Sequence, residues 1–448
     1  MVLVRKSFTE SSLIIPAVMK SKLLPILLLL LVSTLWSCND QCKETRITRR
    51  YTPFSIALKE LRSSVKTESA HDLVRPGKIY TKDNYLFINE IKTGIHVVDN
   101  SDPSNPKFLA FINIPGNGDI SVRNNILYAD SYTDLVAIDI SDPTNAKEVS
   151  RIENIFRYGQ FDGVYWALNQ TNGIDNLTIQ DYTIDYVTET VTTSCEENIA
   201  SPVYYDSGFM PTNMLPGSSA SPGNSNGQAG SMSRFALYDK FLYTVSQNSM
   251  HLFNINDPAK PVDFTTLNVG WNIETIFPYQ NKLFLGSTTG MYIFDNSDPA
   301  APKQLSVFEH ARACDPVVVH DNIAYVTLRT GNACGGSQNQ LDMVDVSDAR
   351  VPKLIKSYAM ENPYGLSISF PNLFLCEGKN GFKVFDVSDK LTVDQHLLSF
   401  NTEMHAYDVI SLGKNLMLIG DDGFYQFDAS DPKNLKQLSK IAVKKAVQ

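Results

Sequence analysis

Asp99-Asn-Ser-Asp-Pro103, Asp139-Ile-Ser-Asp-Pro143, Asn254-Ile-Asn-Asp-Pro258, Asp295-Asn-Ser-Asp-Pro299, Asp345-Val-Ser-Asp348, Asp386-Val-Ser-Asp389 and Asp428-Ala-Ser-Asp-Pro432 are versions of one phrase. Each closes a short apolar run, as in Gly94-Ile-His-Val-Val-Asp99, Gly290-Met-Tyr-Ile-Phe-Asp295 and Gly381-Phe-Lys-Val-Phe-Asp386. β-Branched and aromatic residues in such runs suit a buried, pleated strand. Asp and Ser side chains accept backbone N–H bonds one or two residues on and close a turn, and Pro stops the strand from continuing.

Successive anchors (Asp99, Asp139, Asn254, Asp295, Asp345, Asp386, Asp428) lie 40, 115, 41, 50, 41 and 42 residues apart. A period near forty with several strands per unit marks a propeller blade. The fourth unit reads as four strands, at Ile273–Pro278, Lys282–Gly286, Met291–Phe294 and Gln304–Phe308. A lone four-stranded sheet leaves a face unburied, so the units must stack around an axis. The expected fold is all-β: a seven-bladed β-propeller of four-stranded antiparallel blades over 77–443, with one long insertion at 157–232 between blades two and three. Within that insertion, Ile184–Val191 alternates like a strand, and Pro211–Met232, dense in Gly, Ser, Pro and Asn, reads as a flexible loop. Naming the strands A to D from the axis outward, the A–B and C–D turns fall on one face. The B–C and D–A connections, including the insertion and the enlarged loop at 329–338, fall on the other. Variable rims of this kind are where binding sites usually sit.

The chain has 448 residues and a formal charge of −9. It carries no basic stripe, which argues against nucleic acid as a partner. Met19-Lys-Ser-Lys22 precedes an apolar run at Leu23–Val32, too short to span a bilayer, and then Leu35-Trp-Ser-Cys38. This resembles a bacterial lipoprotein signal with Cys38 as the lipidated residue. Residues 1–37 are then upstream extension and signal peptide. Their loss removes Arg5, Lys6, Lys20, Lys22 and Glu10 and takes the charge to −12. The expected address is the bacterial cell envelope, lipid-anchored at the outer membrane on its periplasmic or surface side. Residues 38–76 read as a polar tether followed by one short amphipathic helix within Phe54–Lys66.

The strand-plus-turn phrase, as in Ile95-His-Val-Val-Asp99, Leu135-Val-Ala-Ile-Asp139 and Leu341-Asp-Met-Val-Asp345, resembles the LVIVD-repeat family of bacterial secreted and surface lipoproteins. The third unit departs, with Asn254 for Asp, and units five and six lack the Pro. The resemblance implies a propeller at the cell envelope. It implies no catalytic residues.

Four units place an acid near the start of strand A: Asp119, Glu274, Asp315 and Asp408. A carboxylate ring at the channel mouth offers oxygen ligands to Ca²⁺ or to a cationic group. The preferred reading is structural: each acid accepts backbone N–H bonds and holds the ring together, with no cofactor required. Cys314 and Cys334 fall at one end of the same sheet and form a candidate disulfide. Cys376 reads as core, and nothing in the sequence decides the state of Cys42 or Cys195. The seven histidines show no metal-ligand spacing, and no nucleophile elbow, phosphate loop or Cys-x-x-Cys is present. Trp166 and Trp271 read as packing, with an aromatic platform for sugar or peptide if either is exposed. The leading expectation is a non-catalytic module that binds an envelope protein or glycan. The rivals are a metal-dependent propeller hydrolase or lactonase using the axial acids, and a purely structural surface lipoprotein. A deep axial pocket with converging acids would favour the enzyme; a shallow, aromatic rim would favour binding.

Overall fold

The computed structural model describes residues 41–161, 164–170, 177–194, 228–310, 316–330 and 338–444. The chain divides into two compact units, one of 1–50 with 185–205, the other of 51–184 with 206–448. The first unit is extended chain where it is described, with Thr48 Oγ1 donating to the Val187 carbonyl at 3.4 Å.

The second unit is a β-propeller. Its repeat sheets span 76–113, 120–152, 235–273, 277–309, 317–359, 366–401 and 408–442, each antiparallel with strands in sequence order. In the fourth, the inner strand is Phe277–Tyr279, shorter than the sequence suggests, followed by Lys282–Gly286, Gly290–Asp295 and Lys303–Glu309. The third sheet has three strands, but Phe241–Asn254 is doubled. Ile255 N donates to Lys240 O at 2.9 Å, so the two ends of this fourteen-residue run meet. The run turns back near Gln247, at φ +40°.

Each repeated phrase is a pair of overlapping turns. Asp295 Oδ1 accepts from Ser297 N at 3.0 Å and Ser297 Oγ at 2.6 Å, and Asp298 Oδ1 accepts from Ala300 N at 3.1 Å. Asn254 does the anchor's work in the third sheet, accepting from Asn256 N at 2.9 Å. The amide after the anchor then donates to the A–B turn, as Asn296 N does to Asn281 O at 2.8 Å. This bond puts the A–B and C–D turns on one face, as the meander geometry requires.

The phrase is also a joint. In the third to sixth units the carbonyl four residues past the anchor accepts from the sheet before it. Tyr128 donates to Pro258 O at 2.8 Å, Tyr243 to Pro299 O at 2.7 Å, Ser306 to Ala349 O at 2.7 Å and Tyr358 to Lys390 O at 2.7 Å. A carbonyl serves whatever side chain it belongs to, which explains why the units with Ala349 and Lys390 there tolerate the loss of Pro. Between sheets the core is apolar and face to face.

Ring closure needs no shared strand. Ile79, Leu86 and Ile88 of the first sheet bury in one cluster with Ile410, Met417, Ile419 and Phe424 of the last. Gln426 Nε2 and Ser439 Oγ both donate to Pro103 O, at 3.0 and 2.7 Å. The strand Gln41–Ala57 pairs with Leu177–Ser194 and not with the first or last repeat sheet. That strand also corrects the tether and the helix: Phe54, Ile56 and Ala57 are extended, and helix α1 is confined to Leu58–Ser63.

The insertion builds its own sheet, with Tyr158–Phe161, Val164–Gln170 and Leu177–Ser194 in order. Phe161, Trp166 and Ile179 pack with Leu58 and Leu61 of α1 on Ile91 and Tyr132. Those two residues sit at B–C turns, so the insertion lies on the irregular face. Asp181 secures it, taking Lys92 Nζ at 2.8 Å and the Tyr132 hydroxyl at 2.8 Å.

Candidate functional site: the propeller axis and its rim

The axis is occupied by the chain itself. Residues 228–234, returning from the insertion, run along the inner edges of the sheets. Gln228–Ala229 pairs with Tyr80 and Thr81, adding an inner strand to the first sheet. Ser231 Oγ lies 3.3 Å from Asp408 Oδ1 and accepts from Leu366 N at 2.7 Å. Ser233 Oγ donates to Asp119 Oδ1 at 2.7 Å, and the Arg234 amide donates to Asp119 Oδ2. The loop reading of Pro211–Met232 is therefore wrong at its end: Ala229, Ser231 and Met232 are buried. The small residues there serve close approach. A Cβ on Gly230 would meet Asp408 Oδ2 at 2.0 Å.

Two of the four predicted acids thus hold the returning segment. Asp119 also pairs with Lys78 Nζ at 2.5 Å, both side chains nearly fully buried. Asp130, which sequence reasoning did not single out, accepts from the Gly118 and Asp119 amides at 2.7 and 2.8 Å and from Arg234 Nη2 at 3.1 Å. Lys78 and Arg234 face Asp119 and Asp130, two cations against two anions. Burial pulls the Lys78 ammonium down to about 8, against the opposing field of Asp119. Burial pushes the Asp130 carboxyl up, with the Arg234 charge pulling it back. Burial raises Asp408 to about 7, opposed by the Val409 amide and the Lys78 charge. These acids are matched by cations and amides of the chain, and do not converge on an open cation pocket. Asp315 lies outside the described residues, as do Cys38, Cys195, Cys314 and Cys334. Cys376 is buried and free, as its place in the core predicts.

Glu274 is placed differently. It precedes Phe277–Tyr279, its amide bonded to Gly286 O at 2.8 Å, and it lines a cleft of about 130 Å³ on the irregular face. The cleft is lined by Tyr158, Gln160 and Tyr165 of the insertion sheet, by Asn272, Glu274 and Thr288, and by Arg234. Tyr158 and Tyr165 are 49% and 57% exposed. Trp271, beside Asn272, is 57% exposed, whereas Trp166 is 4% exposed and is packing. The packing reading holds for one tryptophan and fails for the other. His405 stands 3.5 Å from Asp421.

The LVIVD repeat family matches residues 77–112, 117–153 and 312–360. The chain carries LVIVD repeats. They fall on the first, second and fifth repeat sheets. Similar solved structures include the computationally designed Ika8 protein, at 9% identity over 85% of this chain and 92% of that one, TM-score 0.49. BamB from Moraxella catarrhalis is similar at 8% identity, over 81% and 98%, TM-score 0.43. Sqt1 of Saccharomyces cerevisiae is similar at 13% identity, over 84% and 99%, TM-score 0.45. No curated protein matches the chain.

Proposed function

We propose that this LVIVD-repeat propeller is a non-catalytic binding module, held at the bacterial cell envelope by lipid on Cys38. Its ligand, a protein or glycan, docks on the rim cleft of the irregular face. One observation carries the reading: Tyr158 and Tyr165 are exposed in the lining of a cleft that also contains Arg234 and Glu274. Exposed aromatic faces beside fixed charges suit sugar rings or peptide side chains. The engagement of Asp119 and Asp408 with the returning segment favours binding over hydrolysis, because it takes both acids out of reach of a substrate. Lys78 and Arg234 likewise pair with Asp119 and Asp130, which suits a structural role for those two acids.

The test compares full-length protein with a Tyr158→Ala/Tyr165→Ala variant, both purified in detergent. A glycan array and immobilised envelope proteins serve as probes. Ligands retained by the wild type and lost by the variant support the reading; identical profiles refute the cleft. Deleting 157–232 is unsuitable, since it would remove the axial segment as well. In the same strain, Cys38→Ser should move the protein from the membrane to the soluble fraction.

A further inference from the structure

A second cluster of ligand-type side chains lies in the first sheet, away from the rim cleft. His96 is fully buried on Gly94–Asp99, opposite Ile88 of Tyr85–Glu90. Glu90 is two residues beyond Ile88, so it projects from the same face and stands diagonally across from His96. His96 Nε2 and Glu90 Oε2 are 2.6 Å apart. His71 comes from the strap before Pro76–Lys82, its ring centroid 4.7 Å from that of His96 and edge-on to it. One donor atom from each of the three residues lies within 4.8 Å of the other two.

We propose that His71, Glu90 and His96 form a binding site for a first-row transition metal, best matched by Zn²⁺. Two imidazoles and a carboxylate are a donor set that zinc accepts, with its fourth position left open. A simple His–Glu ion pair accounts for the 2.6 Å contact but not for the rest. His96 Nδ1 is buried with no hydrogen-bond partner, so Glu90 satisfies only one side of the ring. The strap is also fixed in place. Leu73 is fully buried, Lys444 N donates to Leu73 O at 2.7 Å, and Lys444 Nζ meets Asp72 at 2.5 Å. Val74 N reaches Glu90 Oε2 at 3.4 Å. Phe111 closes one side, 4.3 Å from the His71 ring and 4.9 Å from that of His96.

Tetrahedral zinc with bonds of about 2.0–2.1 Å sets its donors roughly 3.3 Å apart. Reaching that needs a swing of exposed His71 and a small widening of the His96–Glu90 contact. Sequence reasoning missed the site because its ligands come from a strap and two neighbouring strands. No spacing on a single element could reveal them.

The test uses full-length, untagged protein, stripped with chelator and dialysed against Zn²⁺ or Co²⁺. One equivalent of zinc is expected, with a ligand-field spectrum for the cobalt form and a higher melting temperature with metal. His71→Ala should weaken metal binding by more than about 100-fold, beyond what losing a second-shell partner costs. Being exposed, it should leave the metal-free melt unchanged, so a folding failure is not confused with loss of the site. Glu90→Gln should weaken binding as well. Retention of one equivalent by His71→Ala would assign the metal elsewhere and overturn the proposal, as would absence of bound metal in the wild type.

Discussion

At the scale of single residues, acids of similar sequence context have opposite environments. The aspartate turn anchors face solvent, and their carboxyls lie below the usual range. For Asp295, Asp386 and Asp428 the first cause is the hydroxyl two residues on, followed by the amide of the same residue. Asp408 sits at the axis, and burial takes it up to about 7. The sequence set Asp408 apart at the start of an inner strand, but its depth of burial depends on the returning segment and leaves no local mark. The sign of the pH effect follows from linkage. Folded Asp408 holds its proton more tightly than the unfolded chain does. Stability therefore falls as pH rises from about 4 to about 7, and is level above that. At about 1.4 kcal/mol per pK unit, Asp408 should account for about 2–3 kcal/mol of loss between pH 5 and pH 8. Asp408→Asn keeps an acceptor for Val409 N and has nothing to ionise. Urea unfolding at the two pH values should give a flatter profile for this variant than for wild type; parallel profiles would show that Asp408 is not the group responsible.

At the scale of elements, the strands and turns were legible and the returning segment was not. Alternating and β-branched residues fix a strand locally, and Asp-x-Ser-Asp fixes its turn through bonds spanning two residues. The joint made by the carbonyl four positions past these anchors was hidden, since a carbonyl has no sequence signature. Gly, Ser and Asn in 211–232 carried the composition of a loop, yet at 230–231 small size is what lets backbone pass close to Asp408. Gly230→Ala tests this difference directly. Its Cβ would collide with the Asp408 carboxylate, which is itself bonded to the Val409 amide and cannot retreat freely. Overpacking of this kind costs about 1–3 kcal/mol. The expected result is a lower denaturation midpoint with an unchanged slope. A flexible loop would tolerate the methyl group, and an unaltered midpoint would count against an axial role.

At the scale of the whole molecule, the period of about forty residues made stacking legible, because units that leave a face open must pack on one another. It said nothing of how first and last sheets meet. Propeller sheets are equivalent in sequence whether the ring closes by a shared strand or by packing alone. Here the first sheet takes its four repeat strands from 76–113 and the last from 408–442, and the junction is apolar packing with two donors on Pro103 O. Among the described residues no helix is long and apolar enough to cross a membrane. The closing junction is then the contact in the repeat unit that joins the greatest sequence distance, and its loss should weaken the ring as a unit. Met417 is fully buried there. Met417→Ala should cost about 2–5 kcal/mol, as large-to-small changes in a core do. Since every sheet leans on two neighbours, we expect one cooperative unfolding transition at a lower denaturant concentration, read by tyrosine and tryptophan fluorescence alongside far-UV circular dichroism. Two separated transitions would mean that the last sheet opens alone, and that closure contributes little to the stability of the rest.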